Sequence, residues 1–131
     1  MFVVEGVVVK GQQLGRKLGF PTANIEPRTD IDLPNGVYVS LIETNSEEAP
    51  HRAISNLGEN PTVGGCRRRL ETHVLDRSCG ELYGRSVRIF LLKHLRPEQA
   101  FSDIESLRKQ IELDVESARS YFESHTTRAE E

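Results

Sequence analysis

The chain has no tryptophan and only two cysteines, Cys66 and Cys79. They form no C-x-x-C pair and have no histidine at zinc-ligand spacing. That excludes a disulfide scaffold and a zinc finger, and leaves the free thiols of a reducing compartment. A surplus of one charge is also missing: 17 Lys and Arg stand against 20 Asp and Glu, a net charge of −3. Such a balance argues against a nucleic-acid-binding face. The one basic run, Arg67-Arg68-Arg69, reads as a solvated loop. No apolar run approaches the ~20 residues of a membrane span, and Met1-Phe2-Val3-Val4-Glu5 lacks the basic start of a secretory signal. The expectation is a cytoplasmic protein with no nucleic-acid or membrane partner. Internal repeats and low-complexity linkers are absent too, so the 131 residues read as one domain.

Helical periodicity is scarce as well. Phe2 to Lys10 is valine-rich and reads as a strand, as do Val37–Ile42, Arg52–Leu57, Leu70–Asp76 and Val87–Leu92. Gly11 to Pro21 and Gly58 to Gly65 read as glycine-rich loops, and Asn35-Gly36 as a turn. Short strands between turn signals predict a small antiparallel barrel. The one helical pattern lies near the C-terminus. Ser102-Asp103-Ile104-Glu105 reads as a capping box, followed by an apolar stripe of Ile104, Leu107, Ile111, Val115, Ala118 and Phe122. This predicts a helix over about 102–123 packed on the barrel, a domain over 1–125 and a flexible tail over 126–131.

The chemistry gathers in a few stretches. Gly15-Arg16-Lys17-Leu18-Gly19-Phe20-Pro21-Thr22-Ala23-Asn24 packs glycines, cations, a hydroxyl and an amide together. Glycines let backbone amides approach an anion, and Arg16 and Lys17 can neutralise it. The run is not an ordinary P-loop, since no Lys-Ser or Lys-Thr follows a glycine. Thr22 and Asn24, two apart, share a face if extended, and offer a hard cation two neutral oxygens. Within Leu70–Asp76, alternation puts Glu71, His73 and Leu75 on one face and Leu70, Thr72 and Val74 on the other. Glu71 is either a carboxylate aimed at chemistry or a Glu on the solvent face of an edge strand. His73 on the same face is open to a similar surface reading.

G-R-x-L-G-F-P-T-A-N over 15–24, with Leu70-Glu71-Thr72-His73-Val74-Leu75-Asp76, Leu82-Tyr83-Gly84 and Leu95-Arg96-Pro97-Glu98…Phe101, resembles the riboflavin kinase family in motif order. Asn56-Leu57-Gly58-Glu59-Asn60-Pro61-Thr62 resembles a further family stretch. The resemblance implies a six-stranded antiparallel Greek-key β-barrel with one C-terminal helix. It implies transfer of the ATP γ-phosphate to the riboflavin 5′-hydroxyl, giving FMN and ADP. Carried over, Glu71 is the catalytic base. Gly11, Arg16, Thr22, Val74, Asp76 and Tyr83 lie at ATP, and Arg96, Gln99 and Phe101 at the flavin. Thr22 and Asn24 hold Mg²⁺, with Mn²⁺ or Zn²⁺ open to the same oxygens.

Two other readings stay open. The chain is the kinase module of a bifunctional FAD synthetase whose other half lies upstream, although no H-x-G-H nucleotidyltransferase site is present. Or it is a flavin- or nucleotide-binding barrel without catalysis.

Overall fold

Alternation along the first strand sets the architecture. In β1 (Phe2–Val9), Val4 and Val8 are buried while Val3 and Glu5 are exposed, the period of a sheet with one dry face. The computed structural model describes residues 1–9, 19–44, 49–62, 65–75 and 82–130. It continues with β2 (Ala23–Pro27), β3 (Gly36–Glu43), β4 (His51–Thr62), β5 (Gly65–Val74), β6 (Ser86–Arg96) and α1 (Ile104–Glu130). The strands close an antiparallel barrel in the order β1-β2-β5-β4-β3-β6, a Greek-key arrangement. Closure gives each described strand a partner on both sides over part of its length.

Inside the barrel, Val4, Ile25, Ile42, Leu57, Leu70 and Ile89 form the main core. Three hydroxyls cross this interior as a chain, Ser40 to Ser55 at 2.8 Å and Ser55 to Thr72 at 2.8 Å. They satisfy one another, which is what polar groups without water require. Outside the barrel, Val39, Ile54 and Leu75 pack with Ala118 and Phe122 of α1, which lies on β3 and β4.

The structure departs from the sequence expectations at several points. Gly58 to Thr62 is not a loop: β4 runs through it, paired with β5 as Gly58↔Arg69 and Glu59↔Arg68. The arginine run therefore lies on β5. Arg68 is no solvated side chain, because its guanidinium donates to the carbonyls of Ile31 and Leu33 and to Asn35 Oδ1. It ties the 31–35 segment to the barrel. β6 extends to Arg96, beyond the expected end at Leu92, through register irregularities opposite Val37/Tyr38 and Val39/Ser40. Bulges re-aim side chains. Here Leu92 and Leu95 both reach the α1 side, and Arg96 reaches the cavity described below.

The helix start also shifts. Asp103, not Ser102, caps α1: the Ser106 amide donates to Asp103 Oδ1 at 2.7 Å. Asp caps as well as Ser, and its carboxylate suits the positive end of the helix dipole. That amide bond holds the Asp103 carboxyl below its ordinary value. α1 extends through Glu130, past the expected end near 123 and into the segment read as a flexible tail. Ile104 leaves the apolar stripe and is exposed. No helix among the described residues is long and apolar enough to cross a membrane.

Candidate functional site

Antiparallel register lines up one row of residues around the outer wall of the barrel. Val9 lies opposite Asn24, Asn24 opposite Glu71, Glu71 opposite Asn56, Asn56 opposite Val37, and Val37 opposite Arg96. Neighbours in such a row point to the same side of the sheet, one strand spacing of ~4.8 Å apart. Glu71, Asn56, Val37 and Arg96 of this row open on a cavity of about 500 Å³ between sheet, α1 and the 97–103 segment. Phe20, Thr22 and His73 close one end, and Gln99, Phe101, Leu107 and Ile111 close the other.

The alternation read for β5 holds. Leu70 and Thr72 are buried in the barrel and Val74 packs against its core, while Glu71 and His73 line the cavity. Glu71 is on no edge strand, since β5 is flanked by β2 and β4. Its carboxyl is accessible from the cavity, yet the surrounding walls desolvate it and raise its pKa, with the Arg69 cation pulling the other way. His73 is not free: its ring Nδ1 lies 2.8 Å from the Pro21 carbonyl, a contact in which Nδ1–H donates. Phe20 meets the His73 ring edge-on at 5.6 Å. Together these contacts fix the backbone that leads into Thr22.

At the far end, Arg96 is held from α1. Its Nε donates to Asp114 Oδ1 at 2.9 Å and its Nη2 to Asp114 Oδ2 at 2.8 Å. Gln110 adds a third bond to Asp114. The guanidinium lies 5.9 Å from the Phe101 ring centroid, within cation–π reach. Behind Arg96, Gly36 adopts φ +145°, and a Cβ there would run into the Arg96 carbonyl and His94 Nε2. On the other flank, the Glu98 carboxylate occupies the space beside Gly58 that any side chain would fill.

Thr22, Glu71, Arg96, Gln99 and Phe101 of the sequence-expected set thus come together around one cavity. Asn24 is buried beside them, one strand from Glu71. Val74 turns into the barrel instead, because strand alternation sends it to the face opposite Glu71. Tyr83 sits on the turn before β6, 59% exposed and away from the cavity lining. Gly11, Arg16 and Asp76 lie outside the described residues. Sequence reasoning left Phe20, Asn56, Glu98 and Asp114 without roles. Asp114 carried a usable signal: it is an acid three residues after Ile111 and four before Ala118, on the apolar stripe.

The donors at the Thr22 end are oxygens. Among the described residues no group of three or more His, Cys, Asp or Glu side chains is placed to hold a metal ion. The Thr22 hydroxyl and Asn24 amide oxygen on neighbouring same-face positions fit a hard cation that takes few protein ligands and completes its shell with phosphate and water.

The riboflavin kinase (flavokinase) family model matches residues 1–122. A bifunctional riboflavin kinase/FMN adenylyltransferase of Escherichia coli (strain K12) is 40% identical over 121 residues, 92% of this chain and 38% of that protein. The RNA-binding riboflavin kinase RibR of Bacillus subtilis (strain 168) is 40% identical over 124 residues, 94% of this chain and 52% of that one. The chain therefore spans about two fifths to one half of these relatives. A riboflavin kinase from Trypanosoma brucei shares the fold, with TM-score 0.63, 23% identity, and coverage of 92% of this chain and 79% of that one. A Streptococcus pneumoniae structure titled as a macrolide-efflux protein overlays at TM-score 0.79 with 31% identity, covering 89% of this chain and 38% of that chain. With its motifs, its barrel and this match over nearly its whole length, the chain belongs to the riboflavin kinase family.

Proposed function

We propose that the chain is an ATP-dependent riboflavin kinase. The observation that supports this best is the row Glu71–Asn56–Val37–Arg96, which runs along one cavity from the side of the Thr22 and Asn24 oxygens to the Phe101 end. A substrate with a flat ring at one end and a primary alcohol at the other fits that polarity.

In this reading Phe101 and the Arg96 guanidinium flank the flavin ring, with Gln99 beside them. The 5′-hydroxyl lies at Glu71. The hydroxyl oxygen forms a bond to the γ-phosphorus of ATP, the bond from that phosphorus to the β–γ bridging oxygen breaks, and ADP leaves. Glu71 accepts the hydroxyl proton. Burial raises its pKa, which makes it a stronger base than an ordinary carboxylate. Thr22 and Asn24 hold Mg²⁺, which when bound neutralises phosphate charge. Little covalent chemistry falls to the protein, so the rigid barrel wall contributes mainly by positioning.

A second reading has its own support: the chain covers 38% of the length of the bifunctional Escherichia coli relative, as the kinase half of a longer protein would. Nucleic acid is not among the proposed partners, because Arg68 of the basic run is engaged with the 31–35 segment.

The test is incubation of purified chain with riboflavin and Mg–ATP, followed by separation of flavins. FMN with one ADP per turnover is expected. Absence of FMN at saturating substrates sinks the proposal, and appearance of FAD contradicts a chain that stops at FMN.

A further inference from the structure

Some polar groups around the cavity are already engaged. Arg96 is taken by Asp114, and His73 by the Pro21 carbonyl. Glu71 and Asn56 differ. Their Cα atoms are register partners on β5 and β4, both side chains open on the cavity, and among the described residues neither has a hydrogen-bond partner. Asn56 is exposed, although its strand neighbours Ser55 and Leu57 are buried. An exposed amide there is hydrated, and a ligand that displaces its water must offer a polar group in exchange.

Position along the row narrows what meets it. Glu71 lies one strand spacing, ~4.8 Å, to one side of Asn56, and apolar Val37 one spacing to the other. Ile54, two residues back on the same face of β4, is also apolar. A ligand stretched from Glu71 to the Phe101 end must cross Asn56 between its reacting hydroxyl and its ring. Whatever part of it lies there faces one amide donor and one amide acceptor.

We infer that Asn56 is a specificity-determining residue, reading the secondary hydroxyls of the polyol chain that joins ring and reacting alcohol. This inference rests on the riboflavin reading above. A polyol offers donors and acceptors at every carbon, so a single amide can bond one hydroxyl in each sense. Asn56 thereby selects flavins bearing a hydroxylated chain and keeps its terminal hydroxyl aligned on Glu71.

The test compares riboflavin with lumiflavin, which has the same ring and a methyl group in place of the polyol. Binding of each to the intact chain is read by quenching of flavin fluorescence, for the wild type and for Asn56→Leu and Asn56→Ser. Asn56→Leu is expected to weaken riboflavin binding about 3- to 10-fold and leave lumiflavin binding within about twofold, with Asn56→Ser intermediate. Equal weakening of both flavins, or no weakening of riboflavin, overturns the inference while leaving the kinase reading standing. A change in turnover alone, with both affinities intact, also overturns it, because Asn56 would then only orient Glu71. A wild-type chain that binds neither flavin overturns the kinase reading, and this inference with it. Should Asn56→Leu lose its thermal transition, the Asn56→Ser ratio decides by the same criterion.

Discussion

The Arg96 guanidinium and the Asp114 carboxylate meet side-on, Nε to Oδ1 and Nη2 to Oδ2, at 2.9 and 2.8 Å. Arg96 is the last residue of β6, and Asp114 lies near the middle of α1. The side chains are only 18% and 6% exposed, so two charges are largely removed from water. Such a pair is a weak source of net stability, because desolvation offsets the attraction, but breaking it strands a charge. Its value lies in geometry: it fixes the angle at which the helix and the 97–103 segment stand over the barrel.

Asp114→Ala is therefore expected to destabilise the chain by about 2–4 kcal/mol, and Arg96→Met/Asp114→Leu to recover most of that loss. Urea unfolding midpoints of the single and double variants check both. A double variant no better than Asp114→Ala would show that the two charges act independently.

Glu71→Gln keeps size and removes basicity. If Glu71 takes the hydroxyl proton, FMN formation falls about 10²- to 10⁴-fold while flavin binding holds. Turnover close to wild type would remove Glu71 from the chemistry.

The same substitution has an opposite effect on stability. A carboxyl whose folded pKa is raised binds its proton more tightly when folded, so its contribution falls as pH rises through the unfolded and then the folded pKa. Glu71→Gln should thus melt slightly higher than wild type at neutral pH, by no more than about 2 °C since the group is solvent-accessible. The difference should fade as pH drops below the ordinary value of 4.5. Thermal melts across that range decide it.

Asp103 behaves with the reverse sign. Its carboxyl is held low chiefly by the Ser106 amide, so its support of α1 is present above its ordinary value of 3.8 and is lost as pH falls through its lowered pKa. Asp103→Ala should lower the melting temperature at neutral pH, with the gap closing in acid, and Ser102→Ala should change little. A larger loss from Ser102→Ala would return the cap to Ser102.

Gly36→Ala places a Cβ against the Arg96 carbonyl and His94 at φ +145°. A loss of about 1–3 kcal/mol is expected, with weaker flavin binding, because Arg96 is displaced along with its carbonyl. Unfolding and quenching titrations measured together test the coupling; lost stability with intact binding would break it.

Much of this was legible beforehand because β alternation is local. Placing Glu71 and His73 opposite Leu70 and Thr72 required only counting by two along one strand. The motif resemblance carried the barrel and named five residues of the cavity lining, Thr22, Glu71, Arg96, Gln99 and Phe101. What escaped depends on partners far away in sequence. Arg68 looked solvated because nothing near it announces that the 31–35 carbonyls will come to it. The continuation of β4 past Gly58 was hidden by glycine and proline, whose turn preference the β5 ladder overrides. The bulges of β6 broke the counting rule itself, so Leu95 and Arg96 could not be assigned to a face from spacing. Asp114 was hidden by the helix pattern, which marks an acid among Leu, Ile and Val as an interruption until its arginine is known.

The closed barrel and the helix laid on its outside are held by different means. Every strand of the barrel is bonded to two others through its backbone, so its amides exchange with solvent only when the whole closure fails. Among the described residues the helix is joined to that wall through its side chains, Ala118, Phe122, the Asp114 carboxylate and Arg119, which donates to the Leu75 carbonyl. Amide hydrogen exchange should therefore divide the chain into a slow barrel and a faster helix. One side of the cavity can lift and reseat while the residues of the strand row keep their positions.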